Sequence, residues 1–335
     1  MTLLAPNKVL VVCHAGAGIG LGHLMRSLVA ARALRDCLGF HIVLIVQGTE
    51  IDSSLCSEFD HTCLSPSADL IAAITAQVKK TAIQVLLLDL FPMQVPATLA
   101  EALTVWRRGG CKVVAIDGLL ALRDLLDLIF LPSFRCPPLE PSTSATPVVY
   151  GWDCLLLNVD EAPPAGPRGN QVLILTGGSD STSLGRTWPT LLDRLLPVRS
   201  EVHWVTGPFA TSPYLPDTRR LTWHEHVAPR DLRHLMSRAN FAVTVFGVSF
   251  FELLHYGVAT VVFSPYGLKD RSELDAISSS GLALVADDHF DATTRLLELM
   301  NNENLAMELS AQASARFSVA GTKRLCSEVE ALIAC

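Results

Sequence analysis

A strand that hands over to a helix through a glycine-rich turn occurs twice in this chain, and that repetition constrains the fold more than any other feature. The first turn, Gly16-Ala17-Gly18-Ile19-Gly20-Leu21-Gly22-His23, follows the apolar run Val9-Leu10-Val11-Val12-Cys13. The second, Thr176-Gly177-Gly178-Ser179-Asp180-Ser181, follows Val172-Leu173-Ile174-Leu175 roughly 155 residues further on. Such a unit offers backbone N–H groups and the positive end of a helix dipole, a setting that suits phosphate or another anionic group. Two copies predict two similar α/β domains facing each other across a cleft.

Apolar runs and helical patterns alternate from end to end. Strands are predicted over 8–13, 41–47, 84–90, 112–117 and 127–132 in the first half. The second half offers 171–176, 201–206, 221–227, 241–246, 260–265 and 282–286, with helical patterns such as 231–238 and 250–256 between them. Several strands are continuous apolar runs, as parallel strands covered on both faces are. The pattern predicts doubly wound, Rossmann-like architecture in each half. The proline- and glycine-rich stretch 160–170 lacks periodicity and reads as a linker, so domains are expected over 1–160 and 161–335. A second cluster of Pro, Ser and Thr, 136–147, reads as a loop within the first domain.

A chain of 335 residues can fill two domains, each with its own core. Half its residues are apolar and 18% are charged, which excludes a disordered chain. A formal charge of -7 and the absence of any basic stripe argue against a nucleic-acid partner, since neutralising a phosphate backbone needs a basic face. No uncharged run reaches the roughly 18 residues that span a bilayer. The nearest, Leu119 to Phe134, is interrupted by Arg123, Asp124 and Asp127, so at most peripheral membrane contact is expected. Lys8 precedes an apolar stretch too short for a signal peptide, and a cytoplasmic location is expected. The nine cysteines form no C-x-x-C pair, which fits reduced, mostly buried thiols. His224-Glu225-His226 puts two imidazoles on one strand face, but two ligands do not make a site. No metal or other cofactor is expected.

Four segments carry a family resemblance. Gly20-Leu21-Gly22-His23-Leu24-Met25-Arg26 resembles the G-x-G-H-x-x-R turn of the UDP-sugar hydrolase of the pseudaminic acid pathway, whose relatives include predicted polysaccharide glycosyltransferases. Thr176-Gly177-Gly178-Ser179-Asp180 is similar to its G-G-[ST]-D loop, and Tyr150-Gly151-Trp152-Asp153-Cys154-Leu155-Leu156 to its segment before the interdomain linker. The segment from Gly247-Val248-Ser249-Phe250-Phe251-Glu252 to Val258 looks like the nucleotide-gripping helix of the wider GT-B group. The resemblance covers nearly the whole chain in order. It implies a GT-B fold and a nucleotide-sugar substrate, most simply a UDP-sugar, held by the C-terminal domain, with the acceptor or sugar on the N-terminal side.

The candidate residues follow. At the first turn of a helix the dipole disfavours an imidazolium, so His23 is expected to accept a proton as general base. Asp89 and Asp117, at the carboxyl ends of their strands, either orient His23, hold a sugar hydroxyl or cap the next helix. Gly22, Gly177, Gly178, Ser179, Gly247 and Ser249 are expected beside the diphosphate, where N–H groups and helix dipoles can stabilise the departing charge without a metal. Asp180 either joins them or caps its helix. The resemblance implies that Glu252 accepts hydrogen bonds from ribose hydroxyls; the bland alternative is that it complements the helix dipole.

These residues predict in-line, inverting displacement at an anomeric carbon. The chain departs from the hydrolase pattern where a D-H-Y triplet is replaced by Asp89-Leu90-Phe91, and where an R-x-D pair is replaced by Cys13-His14-Ala15. An apolar wall disfavours an ordered attacking water. A glycosyltransferase with an unknown acceptor is therefore favoured over a hydrolase using water. A nicotinamide-dependent oxidoreductase would want an acidic residue about 20 positions after the first glycines, at the end of the second strand. That strand ends in Gln47-Gly48-Thr49. A non-catalytic binding protein would have no need of His23.

Overall fold

The computed structural model describes residues 7–16, 19–49, 51–139, 145–159, 169–229, 232–317 and 321–334. Of the predicted linker, 160–168 lie outside these residues, as do Ala17, Gly18 and Asp231. The chain divides into two compact units, Met1–Leu157 together with Val319–Cys335, and Asn158–Ser318.

The first unit is built on a seven-stranded parallel sheet: β1 (Lys8–Gly16), β2 (His41–Thr49), β3 (Asp60–Leu64), β4 (Ile83–Asp89), β5 (Lys112–Ile116), β6 (Leu128–Phe130) and β7 (Val148–Val149). Their order is β3-β2-β1-β4-β5-β6-β7. Side chains of β1 alternate between two cores. Val9, Val11 and Cys13 pack with Leu24 and Leu28 of the Gly22–Leu38 helix, while Leu10 and Val12 pack with Ile74, Leu103 and Trp106 on the other face. This two-sided burial is why the central strands read as unbroken apolar runs.

The second unit repeats the plan with β8 (Gln171–Leu175), β9 (Glu201–Thr206), β10 (Thr222–Val227), β11 (Phe241–Val245), β12 (Ala259–Phe263) and β13 (Leu284–Val285). Its order is β10-β9-β8-β11-β12-β13, again parallel throughout. Val172 and Ile174 pack with Trp188 and Trp204; Leu173 and Leu175 pack with Met236 and Leu253. In both sheets the strand order reverses beside the first strand, between β1 and β4 and between β8 and β11. Ligands of open α/β sheets bind at such switch points, beyond the carboxyl ends of the strands.

Two strands were not legible in the sequence. All but the last residue of β3, Asp60-His61-Thr62-Cys63-Leu64, are exposed, and the strand is held by its backbone bonds to β2. The two-residue β7 is too short to show a pattern.

The expected 161–335 domain requires correction, because the C-terminal helix Gly321–Ala334 belongs to the first unit. It buries Leu325, Cys326 and Val329 in the core beneath β1. Gly321 donates its N–H to Leu155 O at 3.2 Å, and a Cβ there would lie 2.5 Å from that oxygen. An amphipathic helix has the same periodicity whichever sheet it covers, so sequence pattern could not assign it. Among the described residues no helix is long and apolar enough to cross a membrane.

Candidate active site

In the first unit the glycine turn is set by backbone approach. β1 and β2 pair as far as Gly16 and Thr49. A Cβ on Gly16 would lie 2.1 Å from Thr49 O, and the residue adopts φ 121°, a region that favours glycine. Gly16 and Gly20 then exchange backbone hydrogen bonds of 2.8 and 3.1 Å, closing the turn. The Gly22–Leu38 helix starts immediately, with no side chain capping it. Gly22 is its first residue and has open space around its Cα.

His23, Arg26 and Ser27 lie three and four residues apart on one helical face and converge on Asp89, the last residue of β4. His23 Nδ1 is 2.6 Å from Asp89 Oδ1. Arg26 donates Nε to Oδ2 and Nη2 to Oδ1, both at 2.6 Å, and Ser27 Oγ donates to Oδ2 at 3.3 Å. Burial alone would push the fully buried Asp89 carboxyl up, but the Arg26 charge and hydrogen bonds, joined by His23, hold it below the usual carboxylate range. An ionised Asp89 only accepts, so His23 Nδ1 carries the proton of that 2.6 Å contact, and in the neutral imidazole the lone pair is then on Nε2. Arg26 Nη2, also 2.9 Å from Nδ1, is therefore a fellow donor to Asp89 and not a donor to the ring.

Asp117 is brought to the same cluster through Arg26, whose Nη1 it receives at 2.7 Å. It sits past the end of β5 at φ 64°, with its N–H donated to Phe130 O at 3.0 Å and its side chain half exposed. Cys13, paired in register with Asp89, is fully buried, and that burial together with the Asp89 charge raises its thiol well above its ordinary value. It remains a thiol. His14 is also fully buried; its Nδ1 accepts from Phe91 N–H at 3.0 Å, and burial lowers its pKa. Gln47 stands across from His14 in register, and its side chain opposes the effect of burial on the ring. Phe91 meets the His23 ring edge-on, with centroids 5.9 Å apart, whereas Leu90, expected to share that apolar wall, is buried in the core on the opposite face of the sheet with Leu10 and Val12.

In the second unit Thr176 follows β8, and its buried Oγ1 is without a partner. Gly177 takes φ 83°, while Gly178 has open space at its Cα. Asp180 shapes this loop: Oδ1 accepts from Leu184 N–H and Oδ2 from Gly185 N–H, both at 2.9 Å. Of the two readings of Asp180, the local capping one is what the geometry displays. Gly207 supports the loop from β9, since a Cβ there would lie 2.5 Å from both Gly177 O and Gly178 O. Phe209 N–H also donates to Gly178 O at 2.9 Å.

Gly247 is the uncapped N-cap of the Val248–His255 helix, which places Ser249 in the first turn and Glu252 one turn on. Glu252 is buried, and its Oε1 accepts from Asn158 N–H at 3.1 Å. Burial pushes its carboxyl up to about 7, against the opposing effects of the Asn158 N–H, the Arg233 charge and the Ser249 hydroxyl. The carboxyl is thus held inside the unit by a backbone N–H and does not stand at the surface.

Sequence reasoning did not assign roles to Arg26, His14, Ser27, Gly207 or Asn158. Arg26 and Ser27 could have been found from their helical spacing to His23. The others depend on strand register and loop packing.

Two doubly wound units of this topology in one chain make the GT-B fold, and solved structures agree with that assignment over nearly its whole length. MurG of Acinetobacter baumannii is similar with a TM-score of 0.67 and 16% identity, over 97% of this chain and 100% of that one. A UDP-glucosyltransferase from Polygonum tinctorium gives 0.66 and 13%, over 99% and 100%. The spinosyn rhamnosyltransferase SpnG, solved with thymidine diphosphate, gives 0.61 and 14%, over 96% and 100%. No protein-family model and no curated protein sequence matches the chain. At these identities the likeness establishes the fold.

Proposed function

We propose that this chain is an inverting, metal-independent glycosyltransferase that uses a nucleotide-sugar donor, a UDP-sugar, in glycan or glycoconjugate biosynthesis. The carrying observation is the His23–Asp89 pair at the switch point of the first sheet: Asp89 fixes the proton on Nδ1 and leaves Nε2 able to accept one. His23 takes the proton of the attacking hydroxyl. Asp117, half exposed and steadied by Arg26, accepts from a sugar or acceptor hydroxyl.

The second unit holds the donor. Backbone N–H groups of Gly177, Gly178 and Ser179 and the uncapped helix start at Gly247 and Ser249 receive the diphosphate, and the Glu252 carboxylate accepts from the ribose. Orphaned buried polar atoms are rare in folded proteins, and Thr176 Oγ1 is one, standing just past the carboxyl end of β8 beside the Gly177–Ser179 turn. Fold neighbours whose names include a UDP-glucosyltransferase and a thymidine diphosphate complex support a nucleotide-sugar donor.

Hydrolysis is the second reading, because a His–Asp pair activates water as well as it does a hydroxyl. The Phe91 ring, edge-on to His23 where the hydrolase pattern has a tyrosine, favours transfer. The test is to give the purified protein a panel of nucleotide sugars and follow diphosphonucleoside release with and without cell extract as acceptor source. Transfer predicts slow release alone and a rise of orders of magnitude with the acceptor. Release of free sugar by the protein alone at an ordinary enzymatic rate of about 1–10³ per second would establish the hydrolase instead.

A further inference from the structure

The sequence offered only two imidazoles on one face of β10, but parallel pairing with β9 changes the count. His224 stands opposite His203 in register, and Glu201 precedes His203 by two positions on the same face. His203 stacks between His224 and His226, with ring centroids 4.8 and 5.3 Å apart. Glu201 Oε1 lies 3.5 Å from His203 Nε2 and 3.3 Å from His224 Nε2, and the three ligand atoms all fall within 4.8 Å of one another. Ligands bound at 2.0–2.1 Å in tetrahedral geometry stand about 3.4 Å apart. Both Nε2 atoms are buried and have no hydrogen-bond partner.

The surroundings orient these atoms. Gln171 Nε2 donates to Glu201 Oε2 at 3.0 Å, leaving Oε1 to face the imidazoles. His203 Nδ1 is 3.0 Å from His226 Nε2, so a proton on Nδ1 can be donated there while His203 Nε2 keeps its lone pair. A ring nitrogen that donates to a neighbour while the other binds metal is the usual arrangement around a ligating histidine. Arg238 also bears on Glu201, which leaves the site weaker than one with an unopposed carboxylate.

We infer that Glu201, His203 and His224 supply three ligands of a zinc site, and that the ion clips the edge strand β10 to β9. Two imidazoles and one carboxylate suit Zn²⁺ better than the oxygen-seeking Mg²⁺ or Ca²⁺. The ligands begin at the amino end of β9, whereas the Gly177–Ser179 turn follows the carboxyl end of the neighbouring parallel β8. The ion is therefore a structural element and takes no part in the proposed transfer.

The test uses untagged full-length protein stripped with chelator. Equilibrium dialysis against ZnCl₂ is expected to load one equivalent per chain. CoCl₂ should give the intense visible bands of four-coordinate Co²⁺ without a thiolate charge-transfer band. His203→Ala and His224→Ala should each weaken Zn²⁺ binding by about 100-fold or more, and His226→Ala, which removes an orienting partner, by about 10–100-fold. His61→Ala, in the other unit, should change nothing. Zinc should raise the Tm of the wild type and not that of His224→Ala, whose side chain is 41% exposed and can be replaced without opening the core. Failure of the wild type to take up zinc, a thiolate band, or equal uptake by wild type and His224→Ala would each overturn the site.

Discussion

Asp89 Oδ1 lies 2.6 Å from His23 Nδ1, although the two residues are 66 positions apart in the chain. One ends the strand β4 and the other begins the helix after β1, so the adjacency of β1 and β4 at the switch point makes the pair. Arg26 holds the other face of the same carboxylate. Asp89 is thereby kept ionised while fully buried, a state that would be costly without its cation.

Replacing His23 by Ala is expected to lower turnover by about 10²–10⁴-fold, the scale of general acid–base catalysis, with little change in nucleotide affinity. Steady-state kinetics and nucleotide titration check both halves. Unchanged turnover would remove His23 from the reaction.

Asp89 gives the first unit a sensitivity to acid. Its folded pKa is held below the ordinary value of 3.8, so the stability it contributes is present above that value and is lost as pH falls through the folded pKa. Urea unfolding of wild type and Asp89→Asn across acid pH should show the difference between them shrinking below pH 3.8. Arg26→Met, which leaves Asp89 buried without its cation, should cost about 3–5 kcal/mol near neutrality.

Glu252 has the opposite sign. Its pKa is raised from 4.5 to about 7, so its destabilising effect is absent below 4.5 and grows as pH rises to about 7. At 1.36 kcal/mol per unit, Glu252→Gln should gain up to about 3 kcal/mol at pH 8 and almost nothing at pH 4. Glu252→Ala should weaken ribonucleotide binding by about 1.5–3 kcal/mol. A 2′-deoxyribonucleotide should already bind the wild type poorly, and the two losses should not add. Full additivity would place the ribose elsewhere.

Gly178 in the second turn and Gly207 packed against it separate sharply. Gly178→Ala meets nothing within 4 Å and should fold normally, whereas Gly207→Ala drives a methyl to 2.5 Å from the Gly177 and Gly178 carbonyls. Diphosphate affinity, measured by calorimetry, should fall in Gly207→Ala through displacement of a loop it does not belong to. An unchanged affinity would detach that loop from the phosphate.

Much of the fold was legible because parallel strands covered on both faces are apolar at every position, as in Val9-Leu10-Val11-Val12 and Val172-Leu173-Ile174-Leu175. The glycine turns were legible because backbones that approach as Gly16 and Thr49 do leave no room for a Cβ. His23 could be singled out from its place at a helix start, and Glu252 from its place after Gly247.

Sequence alone thus determined the two doubly wound units and the helix ends on which the candidate residues stand, since periodicity and turn chemistry are local properties. Only the tertiary structure decided which of the two aspartates, Asp89 or Asp117, touches His23, that Arg26 binds both, and that Glu252 is buried with a raised pKa. It also returned the Gly321–Ala334 helix to the first unit and set Glu201 and His203 beside His224. These facts depend on strand order, register and burial. Such relations join residues far apart in the chain, and no local pattern records them.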